Sequence, residues 1–289
     1  MNEFMVSAGQ LVLSKPQDVY RQIEQTIMHN PETELFVFPE FATQHQINLA
    51  AVSYLRQNSE AKETAQQWLR LVPDFADVRL LADKHGKAVV IGSIAQEHDQ
   101  LFSRAYFYDP QRQQLESYDK SHVHWTEAFL RAGSSLQPLQ TRFGKLGILI
   151  CYDIAFVEPT RVLGLQGTEV LCVLSAIPLH FHWKYPHARM IGAAIFNQYY
   201  VIAANLGYTL EAPMGGYSGI YSPEADLLAQ VHHTDFGYIS ANIDLHQVKR
   251  WREKEMITPY RQPHLYEEIT VPVTREKEPV EGTPKNEMP

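Results

Sequence analysis

The feature that most constrains the fold is residues 147–153, where a glycine and three apolar residues run into Cys151, Tyr152 and Asp153. A short apolar run with β-branched residues predicts a strand buried on both faces, and residues 156–165 predict a helix. Cys151 therefore lies where a strand ends and a helix begins. Backbone N–H groups at such a junction favour negative charge, so we expect them to lower the thiol pKa and to hold an oxyanion. A small core residue is the alternative interpretation of Cys151.

Two other ionisable residues follow predicted strands in the same way. Glu40 comes after the apolar run 35–38 and a proline, and Lys120 lies just past the predicted strand that ends at Tyr118. Each could be a solvated surface charge. Strand ends are also where sites assemble in layered α/β folds. A thiol that attacks, a carboxylate that accepts its proton and an ammonium that stabilises an oxyanion together suit acyl transfer.

The composition argues against several classes of protein. The net charge of −8 argues against a broad surface for nucleic acid or anionic membranes, while 45% hydrophobic residues allow a sizeable core. The two cysteines, Cys151 and Cys172, both belong to predicted strands, so we expect no disulfide and a cytoplasmic location. The N-terminus has no signal-peptide pattern, and no apolar run has membrane-spanning length.

The order of the elements predicts a single domain. Strands alternate with helices and hairpins over residues 1–272 without a linker, which favours a mixed α/β sandwich. The first strand is predicted at residues 6–13, with Ser14 capping the next helix, and residues 60–85 predict two helices. Residues 273–289 are charged and proline-rich, and we expect them to form a mobile tail.

Two pairs of histidines could each be half of a metal site. They lie in residues 122–124 and 180–182, and neither has Cys or carboxylate residues nearby at ligand spacing. We therefore expect no metal and no other cofactor. The aromatic residues around them, Trp125, Phe181 and Trp183, predict the mouth of a pocket, and Phe181 is our candidate for a substrate contact.

Several motifs occur in one order along nearly all of residues 6–270. They are residues 38–40, 118–122, 147–153 with Glu158 and Arg161, 187–189, 197–201, 204–205, 216–223 and 261–266. Together they resemble the nitrilase, or carbon–nitrogen hydrolase, superfamily. This resemblance implies a four-layer αββα sandwich, usually paired through its helical layers into a homodimer or a larger homo-oligomer.

The resemblance also implies roles for four residues. It assigns Glu40 as general base, Lys120 as oxyanion stabiliser and Cys151 as nucleophile. Glu127 matches the family's second glutamate, which positions the substrate and helps to orient the lysine. No cofactor is implied.

The residues around the cysteine narrow the chemistry that the resemblance implies. Members that hydrolyse nitriles tend to have Trp-Glu after the cysteine, whereas Tyr152 and Asp153 are similar to the amidase and carbamoylase branches. The expected substrate is a small amide, ω-amide or N-carbamoyl compound, converted to an acid and ammonia through a thioester on Cys151. The backbone of Tyr152, Ala176 at the end of the next predicted strand, and Phe181 are the expected substrate contacts.

Three other functions stay open at this point. The same thioester could transfer its acyl group to an amine, the fold could serve as a non-catalytic binding protein, and the histidine pairs could hold a metal. The identity of the acyl group and of the leaving group does not follow from the residues.

Overall fold

The computed structural model describes residues 2–13, 16–43, 75–127, 129–210 and 213–272. The predicted cap at Ser14, the predicted helix before Pro73 and the predicted tail lie outside these residues. The chain divides into two compact units, Met1–Lys254 and Glu255–Pro289. The single domain predicted for residues 1–272 stays a prediction.

The first unit contains all the strands and α-helices of the described residues. The strands are β1 Glu3–Gln10, β2 Leu35–Val37, β3 Ala88–Glu97, β4 Gln100–Asp109, β5 Gln114–Asp119, β6 Leu139–Thr141, β7 Gly144–Ile150, β8 Val170–Ser175, β9 Tyr200–Asn205, β10 Gly219–Tyr221, β11 Leu227–Gln230 and β12 Gly237–Asp244. The helices are α1 Pro16–His29, α2 Phe75–His85, α3 Val157–Leu165, α4 Lys184–Asn197 and α5 Leu245–Lys254.

The strands form two six-stranded sheets in the described part. Their orders are β12-β1-β2-β3-β4-β5 and β11-β10-β9-β8-β7-β6. In each sheet three central strands, β1-β2-β3 and β7-β8-β9, pair in parallel. Parallel strands of one sheet end at the same edge, and such edges are where sites form in α/β folds. The residues after β2 lie at this edge of the first sheet, and those after β7 lie at the corresponding edge of the second.

The alternation of side chains along β2 separates two layers of core. Leu35 and Val37 pack in one cluster with Ile148 of the second sheet, while Phe36 packs in another cluster with Ile23 of α1. The second cluster also contains residues of α2, and the first contains residues of α3 and α4. The architecture is therefore the four-layer αββα sandwich that the resemblance implies, and that prediction is confirmed.

The second unit is described over residues 255–272. It contains two short 3₁₀ turns, Pro263–Leu265 and Glu267–Thr270. Within it, the Arg261 guanidinium lies 5.4 Å from the centre of the Tyr266 ring.

Candidate active site

Glu40 is held in place by the backbone that leads out of β2. The Phe38 N–H donates to the Val90 carbonyl at 2.8 Å, and the Gly92 N–H donates to the Pro39 carbonyl at 3.0 Å. A Cβ at position 92 would lie 2.5 Å from the Glu40 Cα, so only glycine allows β3 to approach this closely. The Glu40 side chain is fully buried.

Lys120 follows β5 and connects two carboxylates. Its Nζ donates to Glu40 Oε1 at 2.8 Å and to Glu127 Oε2 at 2.8 Å. Glu127 ends the 3₁₀ turn Trp125–Glu127. The Lys120 and Glu40 side chains are 0% exposed, and the network reaches solvent only at Glu127, whose side chain is 11% exposed.

Ser103 is a member of this network that the sequence reasoning missed. Its hydroxyl donates to Glu40 Oε1 at 3.1 Å, and its carbonyl accepts the Lys120 N–H at 2.9 Å. The other oxygen, Glu40 Oε2, is buried and accepts no hydrogen bond of normal geometry among the described residues. The signal was available, because Ser103 is a polar residue between the buried Leu101 and Ala105 on one face of β4.

Cys151 occupies a sharp turn at the end of β7. Its φ is +46°, in the left-handed region, and the 3₁₀ turn Cys151–Ala155 separates β7 from α3. The predicted direct junction of strand and helix is therefore replaced by a turn. The residue as a whole is half-buried, but its sulfur is enclosed, and the Ala176 N–H faces the thiol.

The electrostatics of the site differ from the prediction for the thiol. Burial and the negative charge of Glu40 raise the pKa of Cys151 well above its ordinary value, and they outweigh Lys120 and the Ala176 N–H, which lower it. The predicted lowering of this pKa was wrong, because the thiol is buried beside carboxylates from distant parts of the chain. The resting residue is a protonated thiol, which needs a base to become a nucleophile.

The pKa values of the two neighbouring groups, Glu40 and Lys120, are also raised. Burial raises the pKa of Glu40 to about 7, even though Lys120 and the Cys151 thiol lower it. For Lys120 burial acts to lower the pKa, but the charges of Glu40 and Glu127 hold it well above its ordinary value. The site thus places a carboxyl that titrates near neutrality beside a fixed cation and a thiol, which is suited to moving one proton.

Asp153 is another buried carboxylate, which the sequence analysis used as a sign of the amidase branch but gave no role in the site. Its Oδ2 accepts from the Tyr118 hydroxyl at 2.8 Å and from the Ile150 N–H at 2.9 Å. Its Oδ1 accepts from the Ser121 hydroxyl at 2.9 Å and from the His122 N–H at 2.7 Å. Asp153 therefore joins the segment around Lys120 to the turn that carries Cys151.

The three predicted substrate contacts lie in different positions. Ala176 touches the thiol, and the Tyr152 ring packs edge-on against His124 with centroids 4.7 Å apart. Phe181 is 43% exposed and lines a cavity of about 150 Å³ in the loop after β8. The structure brings Tyr152 and Ala176 next to Cys151 and places Phe181 in a neighbouring cleft.

Two kinds of feature are absent from the described residues. No three His, Cys, Asp or Glu side chains of the described residues come together as a metal site requires. Within the same residues, no helix is long and apolar enough to cross a membrane.

Comparisons with known proteins agree with this fold. The sequence profile of the carbon–nitrogen hydrolase family matches residues 8–253. A 2-oxoglutaramate amidase of Bacillus subtilis is 30% identical over 259 residues, which cover 87% of this chain and 92% of that protein. An N-carbamoylputrescine amidase of Solanum tuberosum is 25% identical, with 67% of this chain and 72% of that protein covered. The crystal structure of a carbon–nitrogen hydrolase from Helicobacter pylori matches with a TM-score of 0.80 at 19% identity, covering 93% of this chain and 98% of that one.

Proposed function

Since the chain belongs to the carbon–nitrogen hydrolase family, within the nitrilase superfamily, we propose that it hydrolyses a linear amide through a thioester on Cys151. The observation that carries this proposal is the position of Lys120. Its ammonium is fixed between Glu40 and Glu127, and the thiol of Cys151 lies against the same glutamate.

In the first half of the proposed reaction, the carbonyl oxygen of the amide lies between Lys120 and the backbone N–H of Tyr152. Glu40 takes the thiol proton as the sulfur forms a bond to the carbonyl carbon, and the electron pair of the C=O bond moves onto oxygen. Collapse of this intermediate breaks the C–N bond. The proton held by Glu40 passes to the nitrogen, ammonia leaves, and a thioester remains.

In the second half, water replaces ammonia. Glu40 removes a proton from the water as its oxygen bonds to the thioester carbon. Collapse breaks the C–S bond, the proton returns to sulfur, and the acid leaves. Glu127 acts as a positioning residue, because its carboxylate holds the Lys120 ammonium in line with the developing oxyanion.

The test is ammonia release from a panel of small amides, ω-amides and N-carbamoyl compounds. The panel includes the last two classes because relatives are named for 2-oxoglutaramate and N-carbamoylputrescine. We expect Cys151→Ala to lose at least about 10⁴-fold in kcat while Cys172→Ala, the matched control, stays active. Intact-protein mass spectrometry should find an acyl adduct on the wild-type protein when deacylation is slow. Wild-type turnover by Cys151→Ala would refute the proposal.

Two alternative functions predict different results in the same assay. Acyl transfer predicts that an added amine appears in the product. A non-catalytic binding protein predicts no ammonia from any compound and no adduct. The predicted pairing of two subunits is separate from both, and sedimentation velocity of the purified protein tests it.

A further inference from the structure

A cleft opens along the segment that follows β8, one residue after the alanine that faces the proposed nucleophile. Ala176 lies against the Cys151 thiol, and the next residue, Ile177, lines a cavity with about 150 Å³ of room for small groups. Trp183 and Tyr217 form one wall, where their rings stack with centroids 5.9 Å apart and planes inclined by 27°. The space of about 150 Å³ is the size of a cavity that binds benzene, and the wall suits a flat ring.

The cleft continues inward to a polar end. A second, narrower cavity, with about 20 Å³ of room, shares Ile177, Trp183 and Tyr217 with the first, so the two cavities form one cleft whose inner end admits a single small polar group. Ser175 and Gln230 line the inner part, and Ser175 is only 2% exposed. Ser175 Oγ and Gln230 Nε2 are buried and have no hydrogen-bond partner among the described residues. An unpaired buried donor costs free energy, and a ligand oxygen that accepts from both groups would remove that cost.

The cleft has no full charge to pair with a ligand. Among the residues that the structure describes, no Asp, Glu, Lys or Arg lines either cavity. Asn205 is already occupied, because its Oδ1 accepts the Ile177 N–H at 2.8 Å and its Nδ2 donates to the Gly216 carbonyl at 2.8 Å. His187 contacts the Tyr221 hydroxyl at 3.1 Å, and burial lowers the His187 pKa, which favours the neutral ring. A charged group would lose its water here without gaining a counter-ion.

We infer that this cleft receives the part of the substrate remote from the scissile amide, and that it selects an uncharged aromatic ring carrying a hydrogen-bond-accepting oxygen. The inference rests on the proposed amide hydrolysis. The ring stacks beside Trp183 and Tyr217, and the oxygen accepts from Ser175 and Gln230 at the inner end.

The first test uses the wild-type protein and four amides. They are acetamide, phenylacetamide, 4-hydroxyphenylacetamide and succinamate, and kcat/KM is measured by ammonia release. We expect 4-hydroxyphenylacetamide to be the best substrate, at least about tenfold better than the anionic succinamate. A preference for succinamate would overturn the inference while leaving amide hydrolysis intact.

The second test compares variants by the ratio of kcat/KM for two amides. A general loss of activity affects both amides equally and cancels in this ratio. Ser175→Ala should lower the preference for 4-hydroxyphenylacetamide over phenylacetamide about fivefold, because the variant lacks one partner for the phenol oxygen. Trp183→Ala should lower the preference for phenylacetamide over acetamide at least about tenfold. Phe196→Ala is the control, since this residue lies on the same helix α4, is 62% exposed and lines neither cavity. Unchanged ratios in the first two variants would overturn the inference.

If no amide is hydrolysed, the proposed function fails, and calorimetry tests the cleft by itself. Binding of 4-hydroxyphenylacetamide to the wild-type protein that weakens in Ser175→Ala would support the cleft. No binding, or equal binding to both proteins, would refute it.

Discussion

The buried carboxylate of Asp153 accepts a hydrogen bond from the Tyr118 hydroxyl at 2.8 Å, and this contact couples two catalytic candidates. Lys120 lies two residues after Tyr118, and Cys151 lies two residues before Asp153. The positions of the ammonium and of the thiol therefore depend on one side chain that touches neither of them. This makes Asp153 a positioning residue in the proposed reaction.

Replacing Asp153 by Asn should misplace the thiol. An amide has one acceptor oxygen, and its NH₂ group would face donors that now bind a carboxylate. We expect kcat/KM for the best amide to fall about 10²-fold, and the free energy of unfolding to fall by about 2–4 kcal/mol. Steady-state kinetics and chemical denaturation measure the two effects. Asp226→Asn, in the loop between β10 and β11, should change neither, and wild-type kinetics for Asp153→Asn would contradict the coupling.

Gly92 should be intolerant of a side chain. A Cβ there would lie 2.5 Å from the Glu40 Cα, so Gly92→Ala must displace the backbone that carries the proposed base. We expect a loss of about 1–3 kcal/mol in the free energy of unfolding and at least about tenfold in kcat/KM.

Gly192 offers the matched control for that substitution. It lies within α4, and a Cβ there meets nothing closer than the Phe196 ring at 3.8 Å. Gly192→Ala should keep its activity and gain about 0.5–1 kcal/mol of stability, because alanine favours the helix. A Gly92→Ala protein as active as Gly192→Ala would show that the close approach does not position Glu40.

Local patterns in the sequence are sufficient for much of this fold. The sequence predicts a helix at residues 156–165, and the structure has α3 at Val157–Leu165. The first strand differs, since it was predicted at residues 6–13 and is found at Glu3–Gln10. Its bounds are set by pairing with β12, where Glu3 lies opposite Asp244, and such a long-range contact leaves no trace in the local pattern.

The same distinction between local patterns and long-range contacts applies to the site. Glu40, Lys120 and Cys151 follow apolar runs, so the sequence identifies them, and the structure brings them together. The pKa of the Cys151 thiol could not be predicted, because it depends on burial and on the Glu40 carboxylate. Glu40 follows β2 and becomes a neighbour of Cys151 only in the folded chain. The alternation along β4 marks Ser103 as a polar residue on an apolar face, but the role of Ser103 or of Asp153 follows only from its distant partner, Glu40 or Tyr118.

The raised pKa of Cys151 predicts slow alkylation at neutral pH. Iodoacetamide reacts with the thiolate, so the rate should rise about tenfold per pH unit between pH 7 and 9. Glu40→Gln removes the negative charge that raises this pKa, and it should speed labelling at pH 7. Peptide mapping by mass spectrometry should find the label on Cys151 alone, because Cys172 is fully buried. Fast labelling that does not change with pH would contradict the raised pKa.

The pH dependence of activity should report on Glu40. In the proposed reaction this carboxyl must be ionised to accept the thiol proton, and burial raises its pKa to about 7. The value of kcat/KM should therefore rise as the pH increases through about 7, rather than through the range of an exposed glutamate. The negative charge of Glu127 contributes to this shift. Glu127→Gln should move the rising limb to lower pH, and it should also lower kcat because Lys120 loses one of its two carboxylate partners.

The control for this shift is Glu116→Gln, an exposed glutamate on the same strand β5 that leads to Lys120. This substitution should leave the pH dependence of kcat/KM unchanged, since water screens a charge at that position. A wild-type limb centred near pH 4.5, or a limb that moves to higher pH in Glu127→Gln, would mean that Glu40 is not the group whose ionisation limits the reaction. Both profiles are measured as kcat/KM by ammonia release, so that they report on the free enzyme.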